Sequence, residues 1–79
     1  MTQGEVDVSV PAGLLADAGR ARILFALSDG RALAASVLAG EAEVAPSTAS
    51  EHLGRLVDAG MLSVEPQGRH RYYRIARPR

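Results

Sequence analysis

The strongest constraint in this sequence is a change of period at Gly60. Before it, apolar residues recur at helical spacing; after it, they alternate. Over residues 46–59, Ala49, Leu53, Leu56 and Val57 fall at i, i+4, i+7 and i+8, the stripe of an amphipathic helix. Pro46 suits a first helical turn, and Gly60 suits the left-handed residue that ends a helix. Beyond it, Leu62 and Val64 alternate with Ser63 and Glu65. Pro66-Gln67-Gly68-Arg69 then reads as a turn, and residues 70–75 return with Tyr73 and Ile75 on one face. Helices followed by one terminal hairpin must bury their apolar faces in a single shared core.

Upstream, Asp17 is placed to cap a helix over residues 18–27. Ile23, Leu24 and Leu27 share one face of it, with Phe25 at the edge. Ser28-Asp29-Gly30-Arg31 turns the chain, and a helix over residues 34–40 follows, with Val37 and Leu38 facing inward. The link Ala42-Glu43-Val44-Ala45 is so short that this helix and the next must cross steeply, the helix-turn-helix arrangement. Residues 1–11, with alternating Val6, Val8 and Val10, read as an arm with a short edge strand. Residues 12–76 form the domain, and residues 77–79 a tail. The expected class is α+β, mainly α: a winged helix-turn-helix with a C-terminal β-hairpin wing.

At 79 residues the chain is one small domain, whose core alone rarely supplies more than ~3–5 kcal/mol. Nineteen Leu, Ile, Val and Phe residues are enough for a core and too many for a disordered tail. The absence of cysteine excludes disulfides, zinc-thiolate sites and thiolate catalysis. No apolar run is long enough to span a bilayer, and Met1-Thr2-Gln3-Gly4-Glu5 does not open a signal peptide, so a cytoplasmic location without membrane contact is expected.

The formal charge is zero, but it is unevenly spread. Residues 1–65 hold four arginines and nine carboxylates, a net −5; residues 66–79 hold five arginines and no carboxylate, a net +5. The use of Arg without any Lys fits codon bias. Codon bias does not explain the clustering, and a basic segment after an acidic body points to an anionic partner, most often nucleic acid.

Opposite the stripe of the 46–59 helix lie Ser47, Ser50, Glu51, Gly54 and Asp58. Its first two turns present small polar groups, which let a helix enter the major groove, where hydroxyls exchange hydrogen bonds with base edges and a carboxylate such as Glu51 accepts from cytosine. Thr48, His52 and Arg55 form a flanking stripe placed to meet phosphates. Each feature alone also fits a solvated helix face or an N-terminal capping preference. In the hairpin, Gln67, Gly68, Arg69, His70 and Arg71 set two guanidinium groups and an imidazole at the tip, suited to phosphates or a narrow minor groove. Tyr72 can offer its hydroxyl to a phosphate, while Tyr73 packs inward. His52 and His70 lie on different elements with no nucleophile beside them, and no ligand set for a metal converges. No enzyme activity, metal or cofactor is expected.

Four segments carry a family resemblance: Arg20-Ala21-Arg22-Ile23-Leu24, Pro46-Ser47-Thr48-Ala49-Ser50-Glu51-His52-Leu53, Leu56-Val57-Asp58-Ala59-Gly60-Met61-Leu62, and Gly68-Arg69-His70-Arg71-Tyr72-Tyr73-Arg74-Ile75. Over residues 15–76 the chain resembles the ArsR/SmtB-type winged-helix transcriptional regulators. The resemblance implies a bacterial transcription factor, usually a repressor, that binds a palindromic operator on double-stranded DNA as a homodimer. It puts Ser47, Thr48, Ser50 and Glu51 on the base-reading helix and Arg69 and His70 on the wing.

Departures qualify it. The family's thiolate site has no counterpart, and its helix after the wing, which carries another metal site and much of the dimer interface, would lie beyond Arg79. The chain is therefore read as the DNA-binding domain of a longer regulator, dimerising through sequence past that residue. Where the family often places Ser or Thr as helix N-caps, this chain has Ala34 and Ala45, each forfeiting ~0.5–2 kcal/mol. Glu43 stands at a turn position commonly Gly or Asn, where a left-handed backbone costs ~1–2 kcal/mol. A marginally stable domain follows. Two other readings stand: a winged helix used for protein interaction or dimerisation without DNA contact, supported by the acidic body, and a nonspecific nucleic-acid binder relying on the tail arginines.

Overall fold

A computed structural model describes residues 12–77, with side chains from Ala16 onward. The arm expected over residues 1–11 and the last two residues of the tail lie outside them. The elements are α1 (Ala12–Ala26), β1 (Leu33–Ala34), α2 (Ala35–Ala42), α3 (Pro46–Asp58), β2 (Leu62–Gln67) and β3 (His70–Ile75). The strands form one antiparallel sheet in the order β1-β3-β2. This is the winged helix-turn-helix that the change of period at Gly60 predicts.

α1 begins earlier than expected. Asp17 does not cap it but sits within it, paired with Arg20 one turn on. Leu14, Leu15 and Ala16, all good helix formers, precede Asp17, and the helix reaches back through Gly13 to Ala12. Ile23 on its inner face and Leu27 just past its end are completely buried, with Leu24 packed beside them. Phe25, expected at the edge of that face, points outward and is 81% exposed. The following turn satisfies the last carbonyls locally: the Ser28 hydroxyl donates to Phe25 O at 2.7 Å, the Gly30 amide to Leu27 O at 3.1 Å, and Arg31 Nε to Ala26 O at 3.3 Å.

α2 starts one residue later than expected and runs on to Ala42. Its inward residues are Leu38, Ala39 and Ala42; Val37 lies about 100° around the helix from Leu38 and is exposed, contrary to the inward orientation expected of it. Both N-caps anticipated as weak are so: Ala34 and Ala45 provide no side-chain hydrogen bond. Glu43 does take the left-handed conformation, with φ 58 and ψ 44. There Val44 N donates to Ala39 O at 3.1 Å, closing α2 in a Schellman arrangement without glycine. α3 closes in the same way with the favoured residue, since Gly60 has φ 78 and Met61 N donates to Leu56 O at 2.9 Å.

The hairpin is longer than the sequence pattern implies. Pro66 and Gln67, expected in the turn, belong to β2 and pair with Arg71 and His70. The turn is only Gly68-Arg69, and with φ +60 at Gly68 alone it is type II′, the two-residue connection that matches strand twist. Pro66 is tolerated because β2 is an edge strand. Leu62 and Tyr73 are buried against Leu53 and Leu56, so helices and sheet share one core.

Candidate nucleic-acid interface

α3 is positioned by what it buries. Ala49, Leu53 and Leu56 go into the core, which leaves Ser47, Ser50, Glu51, Gly54 and Asp58 exposed on the far side. An alanine methyl at Gly54 would meet nothing within 4 Å, so that turn of the face is open. The wing stands beside this face. Ser50 and Gly54 line one wall of a 500 Å3 groove whose opposite wall is Arg69, His70 and Arg71, with Tyr73 between. Of the helix face, Ser50 and Gly54 thus meet the wing in one cleft, with Ala34, Ala35 and Ser36 also lining it, while Thr48 and Glu51 line a separate groove toward α1.

A short strand absent from the sequence reading holds the wing there. Leu33 pairs with Tyr73 and Ala34 with Tyr72, tying β3 to the start of α2. Two residues have no period, so no alternation could have revealed β1. On the outer face of β3, His70 and Tyr72 meet edge to face, their ring centroids 6.3 Å apart. Gln67, Arg69, His70 and Arg71 are exposed and Tyr72 half-buried.

The expected flank of α3 divides. Arg55 is exposed and Thr48 half-buried, but His52 is only 7% exposed and cannot serve as a surface phosphate contact. It lies over Gly19 of α1 instead, where a methyl group would stand 3.1 Å from His52 Nε2. The bare glycine lets α3 close onto α1, and a larger residue would push the imidazole aside. An isolated glycine inside a helical pattern was the one available signal of this contact.

The ion pairs among the described residues are Arg20–Asp17 and Arg31–Asp29, both on the helical body. Arg55, Arg69, Arg71 and Arg74 have no carboxylate within pairing distance there, so their charge faces outward. Glu51 and Asp58 are the carboxylates on the exposed side of α3. Among the described residues no group of three or more His, Asp or Glu could hold a metal ion, and no helix is long and apolar enough to cross a membrane.

Comparison with known proteins agrees with this architecture. A helix-turn-helix domain family model matches residues 15–65. The uncharacterised HTH-type transcriptional regulator YdfF of Bacillus subtilis is 52% identical over 63 residues, which are 80% of this chain and 28% of that protein. The chain thus spans little more than a quarter of that relative's length. The homodimeric winged helix-turn-helix DNA-binding domain of a possible ArsR-family regulator from Mycobacterium bovis superposes with a TM-score of 0.69 at 25% identity, covering 98% of this chain and 74% of that one. The antimony-specific transcriptional repressor AntR does so at 0.63 and 30% identity, covering 95% and 66%.

Proposed function

The chain belongs to the helix-turn-helix domain family, and we propose that it binds double-stranded DNA sequence-specifically as the DNA-binding domain of a transcriptional repressor. The carrying observation is the cleft that Ser50 and Gly54 of α3 share with Arg69, His70 and Arg71 of the wing. In this reading residues 12–76 are the binding unit. Ser47, Thr48, Ser50 and Glu51 enter the major groove, the hydroxyls exchanging hydrogen bonds with base edges and Glu51 accepting from a cytosine amino group. Arg55 meets the backbone beside the helix. Gln67, Arg69, His70, Arg71 and the Tyr72 hydroxyl take the phosphates or the minor groove beside the wing.

The helical body is acidic, so phosphate attraction falls mainly on the wing. Its unpaired guanidinium groups are where counterion release originates. A homodimer on a palindromic operator doubles that contribution, and the homodimeric relative from Mycobacterium bovis supports this assembly. The repressor name of AntR supports the direction of regulation.

Selection of bound duplexes from a random pool, followed by affinity measurement across a salt series, tests the reading. A recurrent half-site, doubled into a palindrome where the chain dimerises, and a steep salt slope are expected, with Ser50→Ala changing which bases are preferred. Failure of the parent chain to bind any duplex would instead favour an interaction module.

A further inference from the structure

α3 has a second lined face, turned toward α1 rather than the wing. A groove of 460 Å3 separates Ala16 and Arg20 of α1 from Thr48, His52 and Arg55 of α3, with Val44 at its side. That volume lies within the range usual for small-molecule sites, ~300–1,000 Å3. In it lies the His52 imidazole, more than nine-tenths buried and without a hydrogen-bond partner among the described residues. Buried polar groups in native proteins nearly always have a partner, so this ring calls for one.

The surrounding groups select its chemistry. His52 and Arg55 are three residues apart on one helix stripe and both line the groove, so a carboxylate held by Arg55 can accept from His52 Nδ1, Nε2 being turned to Gly19. Arg20 is engaged by Asp17, whereas Arg55 has no carboxylate partner among the described residues. Glu51 also lines the groove and its charge opposes an anion there, so the carboxylate head must rest on Arg55 and His52. The rest of the wall, Ala16, Val44 and Ala45, is apolar and suits a hydrocarbon chain.

We propose that this groove binds a small aliphatic monocarboxylate, its head against Arg55 and His52 and its chain over Ala16, Val44 and Ala45. Thr48, Glu51 and Arg55 line this groove and are also assigned to DNA above, so ligand and duplex compete. The competition rests on the DNA-binding reading; the site does not.

The test is titration of the 79-residue chain with hexanoate, followed by NMR at the His52 ring and the Thr48 amide. Saturable shifts confined to the groove are expected. Hexanol should bind about tenfold more weakly, and Arg55→Gln should weaken hexanoate binding by about tenfold, the scale of one lost charge-assisted hydrogen bond. The same variant should keep the parent's thermal midpoint. Shifts that do not saturate, an equal response to hexanol, or an Arg55→Gln variant that binds like the parent would overturn the site. In a second arm, saturating hexanoate should lower affinity for a selected duplex; undiminished affinity overturns the competition. Hexanoate binding without any duplex binding retains the site and refutes the function proposed above.

Discussion

α3 and the wing line the same cleft but are built by different means. The display of α3 is what remains after Ala49, Leu53 and Leu56 have entered the core, so its orientation and the stability of the domain are one property. The tip of the wing buries nothing. Its side chains are aimed by strand register and by the left-handed Gly68, outside the core's reach. A surface assembled this way has one part that fails only with the fold and another that can be altered without disturbing it.

The largest effect should come from attacking the first part. Leu53 is fully buried at the centre of the core, and Leu53→Ala should cost ~2–5 kcal/mol in urea unfolding, much of what so small a domain has. A loss below ~1 kcal/mol would mean that α3 is held by something other than its stripe. The complementary test is Arg69→Ala with Arg71→Ala. Removing two phosphate contacts should flatten the log–log salt slope of DNA binding by about 1.8, while stability moves by no more than ~0.5 kcal/mol. A large fall in the melting temperature of that variant would abolish the distinction between the two parts.

Smaller gains should come from the turn that feeds α3. Glu43→Gly relieves the left-handed strain and should stabilise by ~1 kcal/mol after glycine's own entropy is set against ~1–2 kcal/mol of relief. Ala45→Ser restores a cap and should add ~0.5–2 kcal/mol, raising the melting temperature by several degrees. Both gains should leave the salt slope unchanged. If either changes it, the helical half and the wing are more tightly coupled than their packing implies.

Most of the architecture was legible because it is periodic. The α3 stripe, the Gly60 stop and the alternation in β2 and β3 all follow from local rules that the packing respects, while the two uncapped helix starts come from the family resemblance. The misreadings have separate causes. Phe25 and Val37 were assigned by being apolar next to buried neighbours, yet one residue of helix turns a side chain through about 100°, enough to put both in solvent. Asp17 has the chemistry of a cap, but the alanines before it are already helical. Pro66 looks like a turn residue and is an edge-strand residue, since only the unpaired side of β2 tolerates its missing N–H. Chemistry places His52 on the flank of α3; its burial depends on Gly19, 33 positions away in sequence, a contact that the isolated glycine hints at without naming its partner.

The double role of Ala34 has a mechanical consequence. One residue is both the end of β1, paired to Tyr72 of the wing, and the N-cap of α2. The base of the hairpin therefore cannot shift without breaking the pairing at the N-cap of α2, which ties the wing's position to that of the helix-turn-helix. In a complex with DNA the protein would be the stiff member, and the work of fitting would fall on the duplex. Base steps that bend or unstack cheaply would then be favoured where no side chain touches them.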